Sequence, residues 1–135
     1  MTWEPQPWLA EAAARERDLR EKHFPALVES GRATKEEADA EIAAWRAIAD
    51  LMERGWTERE TSWSTLHLFS SRALQALAAD ADRAENGGDE PKLHRLRERL
   101  ATIQAIHRPI DRMKFLIDDT NAILRARAMR ESAAA

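Results

Sequence analysis

The scarcity of strand-forming residues constrains the fold of this chain more than any other feature of its sequence. The chain contains one Val and no Tyr, and its apolar residues are mainly Ala and Leu. Ala, Leu, Arg and Glu lose little side-chain freedom in a helix, whereas strands favour β-branched and aromatic residues. Because only four Gly and five Pro interrupt the 135 residues, the sequence predicts an all-α fold with four main helices.

Residues 1–55 predict an N-terminal arm followed by a short antiparallel helical hairpin. Pro fits the first turn of a helix, so the first helix should begin near Pro7 and run to about Ser30. Pro25 should kink this helix or divide it, because its ring removes a backbone donor. The Thr-Lys-Glu-Glu sequence at 34–37 is a capping box that should open the second helix, which ends at Gly55.

Residues 56–135 predict a second, longer antiparallel hairpin, which forms one cooperative domain with the first. A capping box at 57–60, Thr-Glu-Arg-Glu, should open the third helix, and the Asn-Gly-Gly-Asp sequence at 86–89 should end it. Pro91 should open the fourth helix, whose long apolar stripe predicts coiled-coil-like packing on the third. We expect a kink at Pro109, where a donor is missing.

The length of the apolar stripe on the fourth helix predicts a homodimer. The stripe runs from Leu93 to Leu124, which is about 48 Å at 1.5 Å per residue. The third helix, if it begins at Thr57 and ends at Glu85, offers about 44 Å of partner. The far end of the stripe therefore needs cover from the first hairpin or from another copy, and its apolar residues are Ile117, Ile123 and Leu124.

Composition excludes several classes of protein. The absence of Cys excludes a disulfide scaffold, thiol catalysis and thiolate zinc sites. No apolar run approaches the roughly 18 residues of a membrane span. The first residues lack the basic and apolar regions of a signal peptide. We therefore expect a cytoplasmic protein that does not enter a membrane.

No motif for catalysis or cofactor binding is present, so we assign no catalytic, cofactor or metal residue and expect no enzyme. The P-loop, the dinucleotide-binding glycine motif and the nucleophile elbow are all missing. His107 and Asp111 have the spacing of two ligands on one helix, but no Glu-x-x-His pair accompanies them. We interpret His107 as a partly buried His beside Pro109. The His residues of the chain are His23, His67, His94 and His107.

The charge is distributed unevenly along the chain. Residues 1–60 carry 9 Lys/Arg and 14 Asp/Glu, whereas residues 91–135 carry 10 and 5. This asymmetry indicates either an interaction surface or oppositely charged helices that lie against each other. The basic fourth helix makes nucleic-acid binding an alternative function. The phosphate contacts would be Lys92, Arg95, Arg99, Arg108 and Arg112.

Candidate partner contacts follow from the residue types that dominate binding energy, which are Trp and Arg. The Trp residues near predicted helix ends and the Arg residues that flank Pro109 are the strongest candidates, namely Trp3, Trp8, Trp56, Arg108 and Arg112. The alternative is that the N-terminal Trp residues pin the arm to the body. Trp45 lies on an apolar stripe, and we expect it in the core.

A distinctive pattern of residues runs through positions 17–50. It consists of Arg20, Phe24-Pro25, Leu27-Val28, Gly31-Arg32, Thr34, Ala38, Glu41-Ile42 and Ala47-Ile48. The pattern resembles a helical-hairpin motif of small phage and prophage proteins of unknown function, although His23 and Trp45 depart from it. The resemblance implies a phage-related setting and supplies no site residues.

These observations indicate a small, non-enzymatic phage- or prophage-type accessory protein that binds a host or phage protein. A nucleic-acid-binding protein that uses the basic helix 91–130 is the first alternative, and a structural virion component is the second.

Overall fold

The computed structural model describes residues 6–55 and 61–134, which form four helices and no strand. The helices are α1 (Pro7–Glu29), α2 (Lys35–Arg54), α3 (Trp63–Asn86) and α4 (Glu90–Ala134). The most extensive contacts join α1 to α2 and α3 to α4, so the chain forms two consecutive antiparallel hairpins. The prediction of an all-α fold with four helices is confirmed.

Local sequence signals fix most helix ends. Thr34 caps α2, since its hydroxyl accepts a 3.1 Å hydrogen bond from the Glu37 N–H, as the capping box predicts. The predicted start of α3 at Thr57 is wrong, because α3 begins at Trp63. Its cap is Ser62, whose hydroxyl accepts a 3.2 Å bond from the Thr65 N–H. The capping box at 57–60 lies outside the described residues.

A left-handed glycine closes the turn of each hairpin. Gly31 and Gly88 have φ angles of 77° and 69°. At the second turn, the Asp89 N–H bonds to the Ala84 carbonyl at 3.0 Å and the Gly88 N–H bonds to the Glu85 carbonyl at 3.1 Å. This pair of hydrogen bonds ends a helix through a residue with positive φ, and Gly adopts a positive φ without strain.

Neither internal proline interrupts its helix. Helix α1 runs through Pro25, and α4 runs through Pro109. A proline removes only one donor from the ladder of hydrogen bonds, so the turns on either side can remain helical. Helix α1 is therefore not divided, and α4 has no break near His107. The kink at Pro109 stays a prediction.

All four helices contribute to one hydrophobic core between the two hairpins. Trp45 is completely buried in it, as predicted, and the Arg20 guanidinium lies 4.1 Å from the centre of its indole ring. Leu19 is exposed, because Glu16 and Arg20 occupy that part of the inward face of α1. The largest completely buried apolar side chains are Trp45, Ile48, Met52, Leu66, Ile103, Ile106 and Ile110.

Helix α4 extends well beyond the body of the protein. It has 45 residues, or about 68 Å at 1.5 Å per residue, whereas α3 has 24. Residues 118–134, here called the projecting segment, are exposed throughout. Ile123 and Leu124, which we expect to be covered by the first hairpin or by another copy, are 59% and 53% exposed in the single chain. The first hairpin therefore does not cover them. No helix in the described part of the chain has an apolar stretch sufficient to cross a bilayer.

Candidate functional site

Three of the five sequence-predicted contact residues lie around one groove between the start of α1 and the middle of α4. Trp8 comes from α1, and Arg108 and Arg112 come from α4. The groove encloses about 240 Å³ and is completed by Gln6, Leu9, Ala105 and Pro109. The other two candidates, Trp3 and Trp56, lie outside the described residues.

Trp8 presents a large apolar surface at the mouth of this groove. It follows the proline that begins α1, so the first helical turn fixes its position. Its side chain is 52% exposed, and its indole N–H donates a 2.9 Å hydrogen bond to the Gln6 side-chain oxygen. Because the polar atom already has a partner, the exposed ring is available for contact with an apolar group.

Arg108 and Arg112 supply positive charge on the opposite wall. They lie one helical turn apart, and both are exposed. Within residues 6–55 and 61–134, neither forms an ion pair, although other Arg residues on exposed helix surfaces do, such as Arg127 with Glu131. A guanidinium recognises carboxylate or phosphate oxygens through paired hydrogen bonds. The groove thus combines an aromatic face with two available cations.

Arg99, one of the residues predicted to contact phosphates, is instead held in an ion pair within the protein. Its guanidinium donates hydrogen bonds of 2.6 and 3.0 Å to the buried carboxylate of Glu16. Arg20 adds a third bond to the same carboxylate, at 3.1 Å. Part of the charge asymmetry therefore packs α1 against α4. The remaining predicted phosphate contacts are exposed, namely Lys92, Arg95, Arg108 and Arg112.

The environment of Glu16 favours its ionised form. Burial alone would raise the pKa of the Glu16 carboxyl, but the hydrogen bonds and charges of Arg99 and Arg20 outweigh it and lower the pKa below 4.5. The same carboxylate raises the pKa of Arg99. No pattern in the sequence indicates that Glu16 is buried.

A second polar cluster lies between α3 and α4. The Asp111 carboxylate is 2.8 Å from His67 Nε2 and 3.9 Å from His107 Nε2. The two imidazole rings have centroids 5.0 Å apart. His107 Nδ1 lies 2.6 Å from the Ser70 hydroxyl oxygen. The His107–Asp111 spacing is visible in the sequence, whereas the contribution of His67 from the other helix was not predicted.

The Ser70, His107 and Asp111 combination does not have the geometry of a hydrolytic triad. A nucleophilic serine must present its hydroxyl to substrate. Ser70 is completely buried, and its hydroxyl donates to the His67 carbonyl at 3.2 Å. Its hydroxyl therefore orients His107 and is not available for attack.

Comparisons of the chain with protein-family models, with curated proteins and with solved structures find no match. The resemblance of residues 17–50 to a phage hairpin motif stays an expectation.

Proposed function

We propose that this chain is a non-enzymatic binding protein of the phage or prophage accessory type. Inside a host cell, it captures an acidic segment of a host or phage protein in the groove beside Trp8. The convergence of Trp8, Arg108 and Arg112 on one groove carries this proposal. Trp and Arg are the residue types most enriched among those that dominate binding energy.

Charge favours an acidic occupant for the groove. Arg108 and Arg112 have no ion-pair partner within the described ranges, so a carboxylate from a bound segment would gain charge-assisted hydrogen bonds without breaking existing ones. Trp8 would cover the apolar part of the same segment. Since α1 and α4 are held by the shared core, the groove is formed before the partner arrives, which reduces the ordering cost of binding.

The rival function, nucleic-acid binding, is favoured by the exposed basic residues of α4. Lys92 and Arg95 lie nearer the start of the helix than the groove does. Phosphates would contact Lys92 and Arg95 as well as the two Arg residues of the groove. An acidic segment in the groove needs only Arg108 and Arg112. The two functions therefore differ in which pair of charges they require.

A pull-down from host lysate with two matched double variants tests this difference. Arg108→Ala/Arg112→Ala and Lys92→Ala/Arg95→Ala remove the same charge from the same helix. For a protein partner in the groove, we expect the first variant and Trp8→Ala to lose the captured protein and the second variant to retain it. Each groove substitution should weaken binding by about 1–2 kcal/mol, and circular dichroism should show unchanged helicity.

Nucleic acid retained by the wild type would support the rival function. Both double variants would then bind less, and retention would fall steeply with added salt because phosphate contacts release counterions. Equal capture of the protein partner by all variants would place the binding site outside the groove and contradict the proposal.

We also propose that two copies associate through α4 beyond the body. Positions on one face of this helix recur at alternating spacings of three and four, as in a coiled coil, and all but Thr120 are apolar: Ile103, Ile106, Ile110, Met113, Ile117, Thr120 and Leu124. The first four are buried against the body, but the pattern continues where α3 is no longer present. His67, one turn into α3, already contacts Asp111, so α3 cannot cover the projecting segment.

Charge on the projecting segment favours an antiparallel arrangement of the two copies. Asp118 and Asp119 lie near its start, and Arg125 and Arg127 lie further along. Antiparallel pairing centred near Ala122 would bring the acidic residues of one copy beside the basic residues of the other. Parallel pairing would place like charges together, which is unfavourable.

A further inference from the structure

His67, His107 and Asp111 bring three metal-ligating side chains together at one point between α3 and α4. One candidate ligand atom from each lies within 4.8 Å of the others. Ligands of tetrahedral Zn²⁺, with bonds of 2.0–2.1 Å, are about 3.3 Å apart. The distances from Asp111 Oδ1 to the two Nε2 atoms, 2.8 and 3.9 Å, fall on either side of this value. The side chains would have to rotate to bring all three ligand atoms, which lie within 4.8 Å of one another, to this spacing.

Ser70 can hold His107 in the tautomer that a metal requires. Its hydroxyl oxygen lies 2.6 Å from His107 Nδ1 and 3.2 Å from the His67 carbonyl oxygen, to which the hydroxyl can donate its one proton. In that arrangement the hydroxyl accepts a bond from His107 Nδ1–H, and the lone pair of His107 is on Nε2, on the side of Asp111. A hydrogen bond to the distal nitrogen is the usual way in which proteins orient a metal-ligating His.

The surroundings leave the cluster open to solvent. His67 is partly exposed, and the Asp111 side chain is 61% exposed. A cation can therefore enter from solvent and keep a water molecule as its fourth ligand.

We propose that His67, His107 and Asp111 bind a divalent transition metal ion of the Zn²⁺ type, with Ser70 as the residue that positions His107. Two imidazoles and one carboxylate favour such an ion over Mg²⁺ or Ca²⁺, which prefer oxygen ligands alone. The ion would link α3 to α4 near the start of α3, at the end of the body from which the projecting segment of α4 extends. The site shares no residue with the groove beside Trp8.

Titration of the full chain with Zn²⁺ in a calorimeter tests the site. We expect one ion per chain, and we expect His67→Gln and His107→Gln each to reduce the affinity at least tenfold. His94→Gln is the matched control. His94 lies one turn before Glu98 on α4, as His107 does before Asp111, but it has no second His opposite. This variant should bind Zn²⁺ as the wild type does.

Two further measurements separate a positioned site from a chance surface contact. Ser70→Ala should weaken Zn²⁺ binding by about tenfold, the usual effect of losing such an orienting bond. Co²⁺ bound to the wild type should give the visible absorption of a four-coordinate ion, and His67→Gln should abolish it. His67 is only partly buried, so this variant should fold, as helicity will show. No Zn²⁺ binding, equal binding by His67→Gln, or loss of binding in His94→Gln would each overturn the proposal.

Discussion

Arg99 of α4 donates two hydrogen bonds, of 2.6 and 3.0 Å, to the buried carboxylate of Glu16 on α1, and these residues lie 83 positions apart in the chain. Arg20 completes the group from one turn further along α1. Few other contacts join α1 to α4, so this ion pair is a specific polar link between the first hairpin and the second, beside their shared hydrophobic core.

Replacing Glu16 with Gln should destabilise the protein. The substitution leaves Arg20, whose side chain is only 11% exposed, beside a neutral amide, with Glu41 at 3.1 Å as its remaining ion-pair partner. Removing one partner of a fully buried pair costs about 3–5 kcal/mol, but Arg20 keeps Glu41 and Arg99 is partly exposed and can regain water, so we expect about 2 kcal/mol. Urea denaturation followed by circular dichroism measures this loss.

Glu131→Gln is the matched control for that substitution. It removes the carboxylate of the exposed Arg127–Glu131 pair on the projecting segment, and we expect a change within about 0.5 kcal/mol. Equal stability of Glu16→Gln and the wild type would show that the Glu16 group does not hold the helices together.

The Glu16 group also predicts how stability depends on pH. The folded protein lowers the pKa of Glu16 below 4.5, so the unfolded chain binds the proton more readily. The stabilisation is therefore complete above about pH 4.5 and is lost as pH falls through the lower, folded pKa. Urea denaturation at pH 7 and below pH 4.5 should show a smaller acid-induced loss in Glu16→Gln than in the wild type. Equal losses would contradict the assignment.

The helices were largely predictable because their signals are local. The capping hydroxyl of Thr34 and the glycines at the two turns act on residues within one helical turn. The start of α3 was missed because Thr57 and Ser62 are both plausible caps by residue type. Local sequence does not decide between them.

The candidate sites depend on contacts between distant residues, and these were only partly predictable. Glu16 resembles any surface carboxylate until Arg99 is brought to it from another helix. The partnership of His67 with His107 was accessible in principle, because both lie twenty residues from Gly87 in the sequence. Residues equally far from the turn of an antiparallel hairpin face each other. Neither histidine indicates this relationship by itself, because it depends on their equal distance from the turn.

Gly88 should be required for its backbone conformation and not for space. Its φ of 69° lies in the left-handed region, and an added Cβ would meet nothing within 4 Å. Gly88→Ala should therefore cost about 1 kcal/mol. Gly88→Asn should cost less, because Asn tolerates this region better. Thermal denaturation of the two variants gives the order, and the reverse order would show that the turn is held by other contacts.

The projecting segment should determine the oligomeric state. Light scattering at micromolar concentration should report twice the 15.4 kDa chain mass for the wild type, and the monomer mass for Leu124→Asp. Leu124 continues the buried face of α4 but is 53% exposed in the single chain, so an Asp there disrupts association without disturbing the body. Met129→Asp is the control, since Met129 is 73% exposed and lies about 140° away around the helix. It should remain a dimer. A monomeric wild type, or dissociation of both variants, would contradict association through this face.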